Sequence, residues 1–309
     1  MTSFSGSIYH AIPSYEDHLK KELDGDFEIL GPGLFLSAVK GPVFWYQNCW
    51  LNPVKIKFNT ISEAAKVLRS LGRNWAPCFF TQFRRGSLIQ SKLPPLPKKR
   101  KAFPWLLPDT PMGAYTLLDA NTMIASSSCS SPFPGAVAEF IEDREGPPSR
   151  AYLKLYEALL LSRKWPKQNE RCLDAGASPG GWTWVLSSLG AEIIAVDRAP
   201  LDPKVSSLKG VSFIKHDAFT LKPKDIGKVD WLFCDVVCYP PRLYNWILEW
   251  LDSSLCDNFV CTIKMQGGLD ESNIQSADFE TPKLFANIPG SRLYHLYNNK
   301  HELTWIKLL

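Results

Sequence analysis

A glycine-rich stretch just past the middle of the chain departs from the usual spacing of nucleotide-binding loops. The stretch is LDAGASPGGWTW, residues 173–184. A dinucleotide loop has the spacing GxGxxG, in which the second glycine lets the backbone approach a pyrophosphate held at a helix N-terminus. Here Ser178 occupies that position, and Pro179 removes an N–H donor. The turn therefore suits a ligand without phosphate, such as a nucleoside with an amino-acid tail lying over Gly180 and Gly181.

An acidic residue follows each of the next three predicted strands. Asp197 can accept both hydroxyls of a bound ribose, Asp217 can accept an adenine amino group, and Asp235 lies beside the reacting end. Any one of them could equally cap a helix or sit in a solvated loop. Together with the turn they predict S-adenosylmethionine as the ligand. The expected cofactor contacts are Gly176, Ser178, Pro179, Gly180, Gly181, Trp182, Asp197, Asp217 and Asp235.

The elements that would position these residues alternate between strand and helix after residue 147. RCLDAG, AEIIAVD, VSFIKHDA, VDWLFCDVV and NFVCTIKM have the continuous apolar character of buried strands. SRAYLKLYEALLLS, GWTWVLSSLG and PPRLYNWILEWLDSSL have helical patterns between them. This alternation predicts a parallel sheet covered on both faces, with ligands at the carboxyl ends of its strands. SRLYHLYNN and HELTWIKLL predict a closing hairpin that adds an antiparallel strand.

Residues 1–146 lack this regular alternation of strands and helices and are predicted to form a smaller α+β domain. SYEDHLKKEL and SEAAKVLRSLG predict two helices, and we expect Ser62 to cap the second helix and Gly72 to end it. The proline-rich stretch SKLPPLPKKRKAFPW predicts an exposed basic loop.

The charge of this first part is distributed unevenly. No acidic residue lies between Glu63 and Asp109, whereas that interval holds ten lysines and arginines, interleaved with aromatic residues. Positive charge binds phosphates and flat rings stack on unpaired bases, so the tract predicts contact with RNA. A solvated basic face, or a nuclear import signal in PKKRK, are the alternatives. The expected RNA contacts are Arg84, Arg85, Lys98, Lys99, Arg100 and Lys101.

The bulk composition narrows the class of protein further. The chain has 309 residues, of which 45% are hydrophobic and 21% charged, as in ordinary globular proteins. Eight scattered cysteines without CxxC spacing predict reduced, buried thiols in a cytoplasmic protein, and the five dispersed histidines predict no metal site. We expect no membrane span and no secretory signal, because no long apolar run or basic flank is present.

The second half of the chain resembles the FtsJ-like ribose 2′-O-methyltransferases. PPSRAYLKLYEA, DAGASPGGWTW, AVDRAPL, DWLFCDVVCYPPR, FVCTIKM and LYHLYNNKHELTW carry the resemblance and run in order through residues 147–309. It is most similar to the RlmM-type branch, which methylates a cytidine ribose in large-subunit (23S) ribosomal RNA. The resemblance implies a Rossmann-like class I methyltransferase sheet that uses S-adenosylmethionine. It also implies a THUMP-like RNA-binding region within residues 1–146, which match less cleanly and leave the RNA target open.

The resemblance also implies a catalytic set of Lys154, Asp235, Lys264 and Glu302, with Ser149 as a further cofactor contact. A lysine with a pKa of about 10.4 is only roughly 0.04% neutral at pH 7. We expect Lys264 to be the base for the ribose hydroxyl, with its pKa lowered by burial and by Lys154. Asp235 would hold both lysines, and Glu302 would anchor the far side. Without the resemblance, Lys154 could be a solvated lysine and Glu302 a hairpin carboxylate.

Three other functions are compatible with parts of the sequence. A nicotinamide-dependent oxidoreductase would use a related sheet, although Pro179 and the acid series disfavour it. A catalytically silent RNA-binding protein could keep the fold, although all four site residues are present. A third alternative keeps the enzyme but changes its substrate to a messenger cap, a transfer RNA or another ribosomal position.

Overall fold

The computed structural model describes residues 1–96, 100–265 and 278–309. The chain forms two compact units. The first contains residues 1–100 and 107–139, and the second contains residues 101–106 and 140–309. The domain limits 1–146 and 147–309 stay a prediction.

The first unit is an α+β structure with two five-stranded sheets. One sheet has the order β1 (Thr2–Ser3), β6 (Val54–Lys57), β9 (Thr122–Ser126), β8 (Gly113–Leu117), β7 (Trp75–Pro77). The other has the order β10 (Ser128–Cys129), β5 (Tyr46–Leu51), β2 (Ser7–Ala11), β4 (Leu34–Ser37), β3 (Glu28–Gly31). Its helices are α1 (Glu16–Glu22), α2 (Ile61–Leu71) and α3 (Phe83–Gln90), with a 3-10 turn at Pro134–Ala136.

The cap of helix α2 lies two residues earlier than predicted. Thr60 Oγ1 accepts a hydrogen bond from the Glu63 N–H at 3.1 Å, so the expectation that Ser62 caps this helix is wrong. Thr60 has the extended backbone of a cap residue, whereas Ser62 already lies inside the first turn. The end of the helix is as predicted, because the Gly72 N–H donates to Leu68 O at 3.0 Å.

The second unit contains one seven-stranded sheet. Its order is β13 (Val211–Lys215), β12 (Glu192–Asp197), β11 (Arg171–Ala175), β14 (Val229–Cys234), β15 (Cys256–Lys264), β17 (Glu302–Lys307), β16 (Ser291–Tyr294). The first five are mutually parallel, and β17 is antiparallel to both of its neighbours. The predicted parallel sheet with an added antiparallel hairpin is confirmed. Strand order reverses between β11 and β14, which is where such sheets bind ligands.

The described residues of the second unit contain six helices, which include the three that the sequence patterns predict. They are α4 (Tyr152–Ser162), α5 (Gly181–Ser188), α6 (Pro203–Ser206), α7 (Pro223–Ile226), α8 (Pro240–Ser253) and α9 (Glu280–Ala286), with a 3-10 turn at Ala218–Thr220. Helix α8 buries Leu243, Trp246, Ile247 and Trp250 of the apolar stripe expected from its spacing, whereas Leu251, the fifth residue expected there, is half-buried. Within the described residues, no helix combines the length and apolarity that a membrane span requires.

The core of the second unit explains why its strands have no alternating pattern. Four consecutive residues of β14, from Trp231 to Cys234, have no exposed surface, because neighbouring strands flank them and both faces of the sheet are covered. All eight cysteines lie in the described residues and are free thiols, five of them buried.

Candidate active site

Four charged side chains from four separate elements meet at the carboxyl end of the central strands. Lys154 lies on α4, Asp235 follows β14, Lys264 ends β15 and Glu302 begins β17. Lys154 Nζ donates to Asp235 Oδ2 at 2.8 Å and to Glu302 Oε1 at 2.9 Å. Lys264 Nζ contacts the same two carboxylates. The structure therefore brings together all four residues of the expected catalytic set.

Strand register accounts for part of this arrangement. In the antiparallel pairing of β15 and β17, Lys264 lies directly opposite Glu302. Thr262 is two residues earlier on β15 and thus on the same face, and its Oγ1 donates to Asp235 Oδ1 at 2.5 Å. Sequence reasoning missed Thr262, although the period of two along the strand could have indicated it.

The charges of the cluster are largely buried and compensate each other. Lys154 is 8% exposed and Glu302 is 7% exposed, and two ammonium groups face two carboxylates. Burial acts to raise the pKa of Asp235, but the adjacent Lys264 and Lys154 outweigh burial and hold it below its usual value. The Asp235 carboxylate is thus ionised at neutral pH, and the formal charges of the two lysines and two carboxylates cancel.

The expectation that the pKa of Lys264 is lowered is wrong. Burial does act to lower it, but the charges of Asp235 and Glu302 outweigh burial and raise the pKa of Lys264 above its ordinary value. The physical reason is that Lys264 Nζ lies within hydrogen-bonding distance of two carboxylates, which favour its charged form. Lys264 is an ammonium group in this arrangement.

The glycine turn after β11 packs against the residues that follow β14. Gly176 has φ +77°, and a Cβ there would lie 2.4 Å from Val236 Cγ2. Gly180 has φ +116°, and a Cβ there would lie 2.8 Å from Val205 Cγ1. Both positions combine a left-handed backbone with a close approach, so glycine is required there. The Asp235 N–H donates to the carbonyl of Ala175 at 3.2 Å, which puts the charged cluster next to this turn.

Asp197 fixes the same turn from the neighbouring strand. Its Oδ2 accepts the Ser178 N–H at 3.0 Å, and its Oδ1 accepts the Ala199 N–H at 2.9 Å. The Pro179 carbonyl accepts the Asp202 N–H at 2.9 Å. These bonds hold the predicted ribose acceptor at the rim of the turn, and its contact with a ribose stays a prediction.

Gly181 and Trp182, two further predicted cofactor contacts, are the first two residues of α5. A Cβ at Gly181 would lie 2.6 Å from Ser149 Oγ, so this hydroxyl is close to the N-terminus of the helix. The Trp182 side chain is 3% exposed, and its Nε1 donates to Ala151 O at 3.0 Å. Trp182 thus joins α5 to the residue before α4, and the structure gives its side chain a packing role.

Asp217 is already engaged within the chain. Its Oδ1 accepts the Phe219 N–H at 3.0 Å, and its Oδ2 forms ion pairs with Arg198 and Arg242. Burial acts to raise the pKa of this carboxyl, but the bonds from Arg198 and Phe219 outweigh it and lower the pKa. Asp217 therefore caps the 3-10 turn after β13, and its role toward an adenine stays a prediction.

Asp174 is a candidate site residue that sequence reasoning missed. It is 1% exposed, and its Oδ2 accepts the Thr183 hydroxyl at 2.6 Å. Its Oδ1 has no hydrogen-bond partner among the described residues. Burial is the main cause that raises the pKa of Asp174 to about 7. The available signal was a carboxylate inside the apolar strand that leads into the glycine turn.

Some side chains of the basic tract already have partners within the chain. Arg84 is exposed on α3, whereas Arg85 is half-buried and donates to Asn59 O at 3.2 Å. Arg100 pairs with Glu139 at 3.0 Å, so an acid from outside the tract compensates one of its charges. This exposed pair costs little to break, because surface ion pairs are worth about 0–1 kcal/mol.

The rest of the predicted RNA contacts are described only in part. Lys98 and Lys99 lie outside the described residues. Lys101 belongs to the second unit, where its Nζ lies 5.7 Å from the centre of the Trp105 ring. RNA contact by these side chains stays a prediction.

A parallel sheet with a glycine turn at its switch point and a lysine–carboxylate cluster beside that turn defines an α/β enzyme of the methyltransferase class. The model of the FtsJ-like methyltransferase family matches residues 147–268. A protein of Xanthomonas oryzae pv. oryzae, named ribosomal RNA large subunit methyltransferase M, is 31% identical over 79% of this chain and 68% of its own length. The chain therefore belongs to the FtsJ-like methyltransferase family, and its methyl donor is S-adenosylmethionine.

Other relatives match shorter parts of the chain. The large subunit methyltransferase M of Aromatoleum aromaticum is 33% identical over 50% of this chain and 44% of its own length. Among solved structures, a ribosomal RNA methyltransferase of Plasmodium falciparum is 19% identical, with a TM-score of 0.38, and covers 52% of this chain and 96% of that one.

Proposed function

We propose that this protein methylates the 2′-hydroxyl of a ribose in RNA, at a cytidine of large-subunit ribosomal RNA. The observation that carries the proposal is the cluster of Lys154, Asp235, Lys264 and Glu302 next to the glycine turn. The names of the relatives support large-subunit ribosomal RNA as the substrate. We also infer a cytoplasmic protein, in agreement with its eight free thiols.

The residues around the glycine turn fit S-adenosylmethionine. Asp174 Oδ1 is a buried acceptor without a partner among the described residues, which suits the amino group of the methionine part. The absence of side chains at Gly176 and Gly180 lets Val236 and Val205 pack directly against the turn, which fixes its shape. Asp197 is available to the ribose hydroxyls, and Ser149 to the methionine end. When bound, S-adenosylmethionine supplies a methyl group activated by a positively charged sulfur.

The lysines act on the ribose hydroxyl, which hardly ionises at neutral pH. Both ammonium groups can donate hydrogen bonds to its oxygen and orient it. To act as the base, Lys264 must first lose its own proton, because Asp235 and Glu302 stabilise the charged form. It then takes the hydroxyl proton as the oxygen attacks, and Lys154 keeps the two carboxylates paired throughout. The proton leaves to water after the methylated RNA dissociates.

A direct test uses large-subunit RNA from cells that lack this protein. The purified protein and radiolabelled S-adenosylmethionine should label that RNA at one ribose, which then resists alkaline cleavage. RNA from cells that contain the protein should not be labelled, because its site is already methylated. Label on a base, on transfer RNA or on a messenger cap instead would overturn the proposed substrate, and a complete lack of transfer would leave a silent RNA-binding protein.

We infer that the first unit holds the RNA, as a THUMP-like region would. Its support is the part of the acid-free tract that belongs to this unit, up to Arg100, and the exposed position of Arg84. Such a role requires no chemistry from this unit, only positive charge directed at phosphates.

A further inference from the structure

Two large apolar side chains remain exposed in the segment directly after Asp235. Val237 is 82% exposed and Tyr239 is 68% exposed, only two and four residues beyond the catalytic carboxylate. The strand before them is almost wholly buried, with Phe233 and Cys234 fully covered. An exposed apolar segment bordering a charged site requires an explanation, because leaving such surface in water is unfavourable.

This segment is fixed at both of its ends. At its start, Val236 packs against Gly176 so closely that no side chain fits there. At its end, Tyr239 precedes two prolines that begin α8, and the Tyr239 carbonyl accepts the Arg242 N–H at 3.0 Å. Tyr239 is therefore exposed to solvent on a rigid backbone. This favours a binding role, because little conformational entropy is lost on binding.

The first turn of α8 is not a phosphate site. Its first two residues, Pro240 and Pro241, have no N–H group. The next two N–H groups, of Arg242 and Leu243, both donate to the Tyr239 carbonyl. The usual anion-binding donors of a helix N-terminus are thus missing or already used in this turn. The segment offers apolar and aromatic surface to its occupant.

We propose that Val237 and Tyr239 bind the unpaired base of the nucleotide whose ribose is methylated. This inference rests on the proposed function. The base is attached to that ribose, so a ribose at the cluster brings its base beside the segment that follows Asp235. Aromatic rings stack on the faces of unpaired bases. The cluster itself is formally neutral and does not attract RNA by net charge, so the nucleotide needs this apolar contact to stay in the site.

The test compares Tyr239→Ala with Tyr239→Trp in methylation of unmethylated large-subunit RNA. Loss of a stacking ring should lower kcat/KM for RNA by roughly 5- to 150-fold, whereas tryptophan should restore activity to within about threefold of wild type. The affinity for S-adenosylmethionine, measured by calorimetry, should stay unchanged in both variants. Leu284→Ala on α9, at a side chain that is 45% exposed, is the matched control and should leave kcat/KM unchanged.

The outcomes separate this inference from the proposed function. If wild-type protein methylates RNA and Tyr239→Ala has the same kcat/KM, the base-binding role is wrong. The same holds if Tyr239→Ala changes only the oligomeric state, since the segment would then be a contact between copies of this chain. If wild-type protein methylates no RNA, the proposed function fails and the inference fails with it. Should Tyr239→Ala lower the melting temperature, Val237→Ser provides the same comparison at an exposed side chain.

Discussion

The cluster at the end of the central sheet and the basic tract between Glu63 and Asp109 use charge in opposite ways. In the cluster, Lys154 is buried and Lys264 is half-buried, and each contacts two carboxylates. In the tract, ten positive residues occur without an acid among them, and Arg84 is exposed. The carboxylate partners fix the positions of the two lysines but cancel their charge. Exposed side chains keep their charge but have no fixed position. Chemistry needs the first property and RNA attraction needs the second.

The largest effect should come from removing one cation of the cluster. Lys264→Ala should lower kcat by about 10³-fold or more, because it removes both the base and a donor that orients the hydroxyl. Calorimetry should find the affinity for S-adenosylmethionine retained, since Lys264 acts on the hydroxyl. Lys283→Ala, at a partly exposed lysine paired with Glu280, is the control and should keep full activity. Turnover within tenfold of wild type would remove Lys264 from the base role.

The pH dependence of the rate should distinguish a base from an orienting group. The pKa of Lys264 is raised, so below that pKa its neutral fraction grows tenfold with each pH unit. We expect kcat to rise about 100-fold between pH 7 and pH 9 in single-turnover experiments. A flat profile over this range would mean that Lys264 stays protonated and only orients the hydroxyl.

Asp174 is a buried carboxyl without a full set of partners among the described residues, and its titration tests the comparison between buried and exposed charges. The pKa of Asp174 is about 7 in the folded protein, above its ordinary value of 3.8, so stability is lost as pH rises from about 4 to 7. Asp174→Asn should therefore raise the free energy of unfolding by about 4 kcal/mol at pH 8 and by little at pH 4. Thermal unfolding at the two pH values measures this difference, and the same variant should bind S-adenosylmethionine more weakly. An equal change at both pH values would contradict the assignment.

The smallest effect should come from one charge of the basic tract. Arg84→Gln should raise the KM for RNA about three- to tenfold at low salt and leave kcat unchanged. The dependence of log KM on log salt should become shallower by about 0.7, the value for one phosphate of a single strand. Lys209→Gln, an exposed lysine of the second unit, is the matched control. A change in kcat instead of KM would place Arg84 in a different role.

The sequence predicted the elements of the second unit well, because buried parallel strands leave continuous apolar runs and the glycine turn is local. The four residues of the cluster were identified by resemblance, since nothing local makes Lys154 differ from a solvated lysine. The pKa of Lys264 could not be predicted, because it depends on Glu302, which lies opposite it only once β15 and β17 pair. The cap at Thr60 was missed because Thr60 and Ser62 are chemically alike and only the backbone distinguishes them.

The pairing of Lys264 with Glu302 gives the register between β15 and β17 a chemical consequence. Lys264 is the last residue of β15 and Glu302 is the first residue of β17, so the two charges meet where the paired strands end. Side chains along a strand alternate between faces, and a slip of one residue would turn Glu302 to the opposite side of the sheet. Two ammonium groups would then share one carboxylate. The register of one strand pair thereby sets the charge balance of the cluster.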